Sequence, residues 1–217
     1  LSIGGGGGVT GNALGNVALG ATRASGTTTS GSVTVRQTGD LGTDGRNSAG
    51  FVAQSIGGGG GLGARVIGDA TLGMKSNAGA TAASGDVDFE GTGQLAYTKG
   101  ISSPVLVIQS IAGGGGWLGD VGGNAHLGAD LNGVANSGSV SATSRYEDIV
   151  SIGNNSAGLL VQTIGGGGGY TGISSGQQLA LGGNLSAGSN SSAGDVNVNT
   201  SSRITTSGDR KSTRLNS

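Results

Sequence analysis

A nine-residue stretch recurs along the chain at nearly constant spacing, and any fold must use it. It stands complete as AQSIGGGGG at Ala53–Gly61, and returns as IQSIAGGGG at Ile108–Gly116 and VQTIGGGGG at Val161–Gly169. The chain opens inside a fourth copy, LSIGGGGG at Leu1–Gly8. The isoleucines fall at Ile3, Ile56, Ile111 and Ile164, which gives steps of 53, 55 and 53 residues. A fixed long period is the signature of repeat architectures, in which each unit buries its apolar side only against its neighbours.

Each repeat has the same internal grammar. After the glycines comes a segment ending in Leu-Gly, as in GNVALGA (Gly15–Ala21) and GNAHLGA (Gly123–Ala129). A loop of small and polar residues follows, then a period-two alternation such as GSVTV (Gly31–Val35) or GDVDF (Gly85–Phe89). Alternation of this kind places Val and Phe on one face of a strand. A third short segment follows, and the repeat closes on its longest strand: SAGFVAQSI (Ser48–Ile56), SSPVLVIQSI (Ser102–Ile111) and SAGLLVQTI (Ser156–Ile164). The apolar run in this last strand is denser, as in a strand with little solvent access. No window reads as a helix, because Gly costs about 1 kcal/mol at each interior helical position. Asn12–Ala24, the most helix-friendly window, carries two glycines and reads as strand or loop.

Composition narrows the class further. Gly accounts for 51 of 217 residues, with one Pro, no Cys and a formal net charge of −1. The absence of a Gly-X-Y period and the near absence of Pro exclude collagen. The chain has no basic cluster to suggest nucleic acid, and no thiolate metal site. One Trp, three Tyr and two Phe are too few for the aromatic girdles of a membrane barrel.

These features predict an all-β, right-handed parallel β-helix or β-solenoid built from four repeats of 53–55 residues, beginning near residues 3, 56, 111 and 164 and occupying 1–208. Four strand-like segments per repeat exceed one ordinary solenoid unit, so two coils of roughly 25 residues per repeat are expected; the alternative is one coil per repeat, with the Leu-Gly segment and the small-residue loop thrown out sideways. About eight coils would then make a rod of roughly 35–40 Å. On that count the equivalent Gln54, Gln109 and Gln162 would sit ~10 Å apart and bond to other groups, not stack as an amide ladder.

No residue is assigned a catalytic, cofactor-binding or metal-binding role. The glycine runs satisfy G-x-G-x-x-G by composition alone. They lack the Lys of a phosphate-binding loop and a following helix, so they read as tight corners. His126 is the only His, and it stands where other repeats have Ala18, Thr71 and Ala180. A triad would need Asp120 or Asp130 beside it and a marked nucleophile, and no serine is so marked. Asp86, Asp88 and Glu90 share one strand face, as paired carboxylates of a glycosidase or hard-metal site would. The first repeat has Ser32, Thr34 and Arg36 there, so the face reads as solvated. Trp117 and Tyr170 follow glycine runs and read as corner aromatics, covering a coil end or touching a partner.

The pattern SAG followed by three apolar residues, then Q-[ST]-I and glycines, resembles the repeated passenger region of bacterial autotransporters over Leu1 to about Gly208. The resemblance implies a surface-exposed or secreted passenger, carried by a C-terminal outer-membrane β-barrel of the same polypeptide. It implies a stalk or adhesin on the bacterial cell surface, with host cells, matrix or further copies as candidate partners and no nucleic acid. It carries over no catalytic residue. A β-solenoid enzyme acting on polysaccharide and an unstructured glycine-rich protein are the alternatives. Residues 209–217, DRKSTRLNS, break with the repeat and match the translation of a sequencing adapter, so they are read as an artefact joined to a fragment.

Overall fold

The computed structural model describes the chain apart from residues 21, 25, 74, 129, 177, 184–188, 209–213 and 216–217. The described residues hold strands and turns and no helix. Every strand pairs in parallel with its counterpart one repeat away, which makes the molecule a parallel β-solenoid.

One repeat makes one coil, which overturns the expectation of two. Five walls run along the stack. The Gln wall comprises Ser2–Ile3, Phe51–Ile56, Leu106–Ile111 and Leu159–Ile164. The glycine wall comprises Gly7–Thr10, Gly60–Gly63, Gly115–Leu118 and Gly168–Thr171. The leucine wall comprises Val17–Leu19, Ala70–Leu72, Ala125–Leu127 and Leu179–Leu181. A small-residue wall holds Thr22–Ala24 and Thr27–Thr29, Lys75–Ala83, Asp130–Asn136 and Asn190–Ser192. The long wall holds Val33–Thr38 and Leu41–Thr43, Val87–Thr98, Val140–Ser151, then Val196–Thr200 and Arg203–Thr206. Four coils at the usual strand spacing give a stack of roughly 15–20 Å, half the predicted rod.

A coil can hold so many residues because the Gln wall does not lie on its perimeter. Alternate side chains of this strand enter two different cores. Leu106 and Ile108 pack with Val87, Phe89, Val140 and Ile149 of the long wall. Val107 and Leu160 pack on the other side with Trp117 of the glycine wall. The glycine wall is itself two-faced, since Leu118 turns away from Trp117 to join Leu72, Val66, Val121 and Leu127. The order of layers is therefore long, Gln, glycine, leucine. Leu106–Ile111 is buried at every residue, as the dense apolar run predicts. Each large apolar side chain so enclosed contributes about 1.5–3 kcal/mol.

Register is strict in the Gln wall, where Gln54, Gln109 and Gln162 align in one column with Ile56, Ile111 and Ile164 in another. It slips in the small-residue wall. There Lys75 pairs with Asp130, Ala78 with Asn132 and Thr81 with Val134, with irregularities between them. Arg214–Leu215 pairs with Leu160–Val161 at the end of the Gln wall; the rest of 209–217 lies outside the described residues.

Candidate functional site

Each residue of the recurring motif has a separate task. The Gln side chains form the ladder that two coils per repeat would have prevented. Gln54 Nε2 donates to Gln109 Oε1 at 2.5 Å, and Gln109 Nε2 donates to Gln162 Oε1 at 2.7 Å. The column ends below Gln54, where Leu1 takes the ladder position and Gln54 Oε1 is buried without a hydrogen-bond partner. The Ser or Thr after Gln ties this wall to the turn that opens the long wall. Ser55 Oγ donates to the Gly31 carbonyl at 3.0 Å, Ser110 Oγ to Gly85 at 2.9 Å and Thr163 Oγ1 to Gly194 at 2.7 Å. The Ile side chains at 56 and 111 are fully buried.

The glycine run is a crossing of backbones. At Gly57 a Cβ would overlap the carbonyl of Ala83, where the small-residue wall ends. At Gly59, with φ +77°, it would lie 2.9 Å from the Cα of Gly20, beyond the leucine wall. Gly114 meets Gly73 in the same way at 2.7 Å. The space in which a phosphate would have to sit is thus filled by neighbouring main chain. The third coil carries the fully buried Ala112 in the place of Gly57, so the crossing there admits one methyl group.

The serine of the SAG element makes a second ladder at the corner after the long wall. Ser48 N–H donates to Ser103 Oγ at 3.0 Å, and Ser103 N–H to Ser156 Oγ at 2.8 Å. The residue preceding each of these serines, Asn47, Ser102 or Asn155, is left-handed with φ of 53–55°.

Asp120 is placed beside this corner and not beside His126. Its carboxylate accepts from Arg46 Nε at 2.6 Å, Ser102 Oγ at 2.6 Å and the Ile173 N–H at 3.0 Å. Burial acts to raise the Asp120 carboxyl, but Ser102, Ile173 and Arg46 together hold it below its ordinary value. The Asp120 N–H also donates to Asn47 Oδ1 at 3.0 Å. His126 is half-buried on the leucine wall between Thr71 and Ala180, and Asp130 lies in the small-residue wall opposite Lys75. Neither Asp120 nor Asp130, the alternative orienters of a notional triad, therefore stands on the wall that carries His126.

Asp86, Asp88 and Glu90 do share a face, with Val87 and Phe89 turned inward. Asp86 Oδ1 accepts from the Ser139 N–H at 2.8 Å, and Arg36 donates to Asp88 at 2.9 Å. Glu90 is bridged by Arg36 at 3.1 Å and by Arg145. This is a solvated ladder of alternating charge, of little energetic weight at such exposure. Trp117 and Tyr170 are not exposed platforms. They continue the column Val9–Leu62 inside the core between the glycine and Gln walls. Trp117 is 5% exposed and its indole N–H has no partner; Tyr170 Oη donates to the Asn155 carbonyl at 2.7 Å.

Among the described residues no three His, Asp or Glu side chains converge as metal ligands. On the outer surface Leu95, Tyr97, Lys99, Val150 and Ile152 line an open apolar groove of about 330 Å³ on the long wall. The Arg46–Asp120 cluster is the arrangement that the repeat pattern conceals, since its members stand 74 residues apart and the positions equivalent to Asp120 are Asn12, Arg65 and Ile173. Comparison with known proteins finds no matching family model, no matching curated protein and no matching solved structure.

Proposed function

We propose that the chain is a structural β-solenoid segment of a surface-exposed, autotransporter-like bacterial protein, serving as a stalk or adhesin. The observation that carries this reading is that Gln, Ser and Ile of one motif are used alike in successive coils. The Gln and Ser ladders join each coil to the next through side chains as well as backbone. Such a chain gains rigidity by adding coils and leaves its outer faces free to vary. In this reading a C-terminal outer-membrane β-barrel of the same polypeptide anchors it, and host cells or matrix are its contacts.

Long-read sequencing of the source locus tests the proposal. An in-frame region encoding an outer-membrane β-barrel downstream supports it, and a native stop codon with no barrel overturns it. The same reads decide whether residues 209–217 belong to the gene.

A further inference from the structure

One carboxylate joins all four coils at a single corner. Asp120 belongs to the third coil and lies between its glycine and leucine walls. It accepts from Arg46 of the first coil, from Ser102 of the second and from the Ile173 N–H of the fourth. Its own N–H donates to Asn47 Oδ1 of the first coil. The equivalent positions hold Asn12, Arg65 and Ile173, so the cluster is an addition to the repeat, made once.

The addition falls where the corner needs it. Asn47, Ser102 and Asn155 occupy one column, and all three are left-handed. Asn is one of the few residues that adopt this conformation readily, and Ser is not. The coil with Ser is the one whose side chain Asp120 holds, at 2.6 Å. The corner so fixed covers an aromatic core. Ala49 and Ala157 pack with Trp117, Val107 and Leu160, and Pro104 lies between them in register. Tyr170, next to Trp117 in the same core, donates its Oη to the Asn155 carbonyl of the corner.

We infer that this corner is an acid-released cover: protonation of Asp120 lifts residues 45–48 and 100–103 away from the Trp117 core while the five walls stay paired. A neutral carboxyl no longer forms the ion pair with Arg46, and its O–H is a donor among donors. Ser102 then loses the charged acceptor that offsets its left-handed backbone, and the Ser48–Ser103–Ser156 ladder beside it loosens. Trp117 is left open to water. The charged and titratable groups nearest Asp120 are Arg46 on the corner, Tyr170 from the glycine wall, and the exposed Arg65 one coil below in its own column. The Asp44–Lys99 pair stands on the outside of the same corner. Arginine keeps its charge and phenols stay neutral throughout the acid range. Burial acts to raise the Asp120 carboxyl, and Ser102, Ile173 and Arg46 outweigh it. The cover therefore stays shut at neutral pH and opens below about pH 4.

Trp117 is the only Trp, so its quenching by acrylamide reads the cover, and far-ultraviolet circular dichroism reads the walls. On acidification of the full chain the quenching constant should rise about threefold before the β signal falls. Asp120→Asn should show the raised constant already at neutral pH, with the β signal kept. Arg46→Gln, a milder change at a half-exposed side chain, keeps the carboxylate and should open at a pH about half a unit or more above the parent's. Asp44→Asn should titrate as the parent does. Quenching that rises only together with loss of the β signal would overturn the inference. So would an Asp120→Asn variant as shielded as the parent at neutral pH, an Arg46→Gln transition at the parent's pH, or loss of the transition in Asp44→Asn. Each outcome holds whatever the locus encodes.

Discussion

Gln109 donates its side-chain amide to Gln162 across 2.7 Å, although 53 residues separate them in the chain. Gln54 completes the row, and neither Gln54 nor Gln109 has any solvent exposure. The amides hold successive coils in one register at the wall that is buried on both faces, where a slip would disturb two cores at once.

Replacing Gln109 alone with Leu should therefore cost more than replacing the whole row. The single change strands Gln54 Nε2 and Gln162 Oε1, at about 2–3 kcal/mol. Changing Gln54, Gln109 and Gln162 together to Leu removes donors and acceptors as a set and should fall within about 1 kcal/mol of the parent. Urea unfolding of the variants measures both; a triple variant weaker than the single one would contradict the ladder's role.

The glycines of one run are unequal. Gly60 has φ +125° and a Cβ there would overlap the carbonyl of Gly115, so Gly60→Ala should lose at least about 3 kcal/mol. Nothing lies within 4 Å of a Cβ at Gly8, and Gly8→Ala should be neutral within about 0.5 kcal/mol. Equal thermal stability of the two variants would rule out the crossing of backbones as the reason for the run.

Asp120 makes stability depend on acid. An acid held below its unfolded pKa, about 3.9 for Asp, contributes stability above that value and loses it as pH falls through the folded one. The parent should thus weaken below about pH 4. Asp120→Asn should be less stable at pH 7, by about 1–3 kcal/mol, yet flatter from pH 5 to 3. Parallel curves of urea midpoint against pH for the two proteins would remove Asp120 from this role.

At the alkaline end, burial pushes the Tyr146 phenol up to about 12, with help from Asp40, and the Tyr170 phenol up to about 12, with help from Asp120. A group raised in this way contributes stability that is complete below its unfolded pKa near 10 and is lost as pH rises toward the folded value. Absorbance at 295 nm should show two of the three phenolates forming only near pH 12 or on unfolding. Complete ionisation by pH 11 with the fold intact would refute it.

The period, the strand class and the buried character of the Gln wall were legible in the sequence, because alternation and dense apolar runs report directly on which faces lose water. The number of coils was not. Counting residues assumes that a coil is a perimeter, and Leu106–Ile111 passes through the interior with Val107 facing one core and Ile108 the other. The same miscount separated the glutamines that in fact touch. Trp117 looked like a corner residue because glycines precede it, but those glycines turn the chain inward. The Arg46–Asp120 pair escaped for a different reason: it joins two non-equivalent positions, and a repeat pattern exposes only what recurs.

The register slips between Lys75 and Thr81 have a consequence for how such a chain can change length. Steps of 53 and 55 residues coexist while the glutamines stay in line, so the surplus is taken up away from the ruler that sets coil spacing. The small-residue wall holds part of the slack in each turn, and the long wall shares it, its offset between coils passing from Thr38 opposite Thr92 to Leu41 opposite Ala96 with one residue more. Residues added in the small-residue wall lengthen a coil without moving its anchor, and a graft at that wall would ride outside the stack and leave the spacing of its coils unchanged.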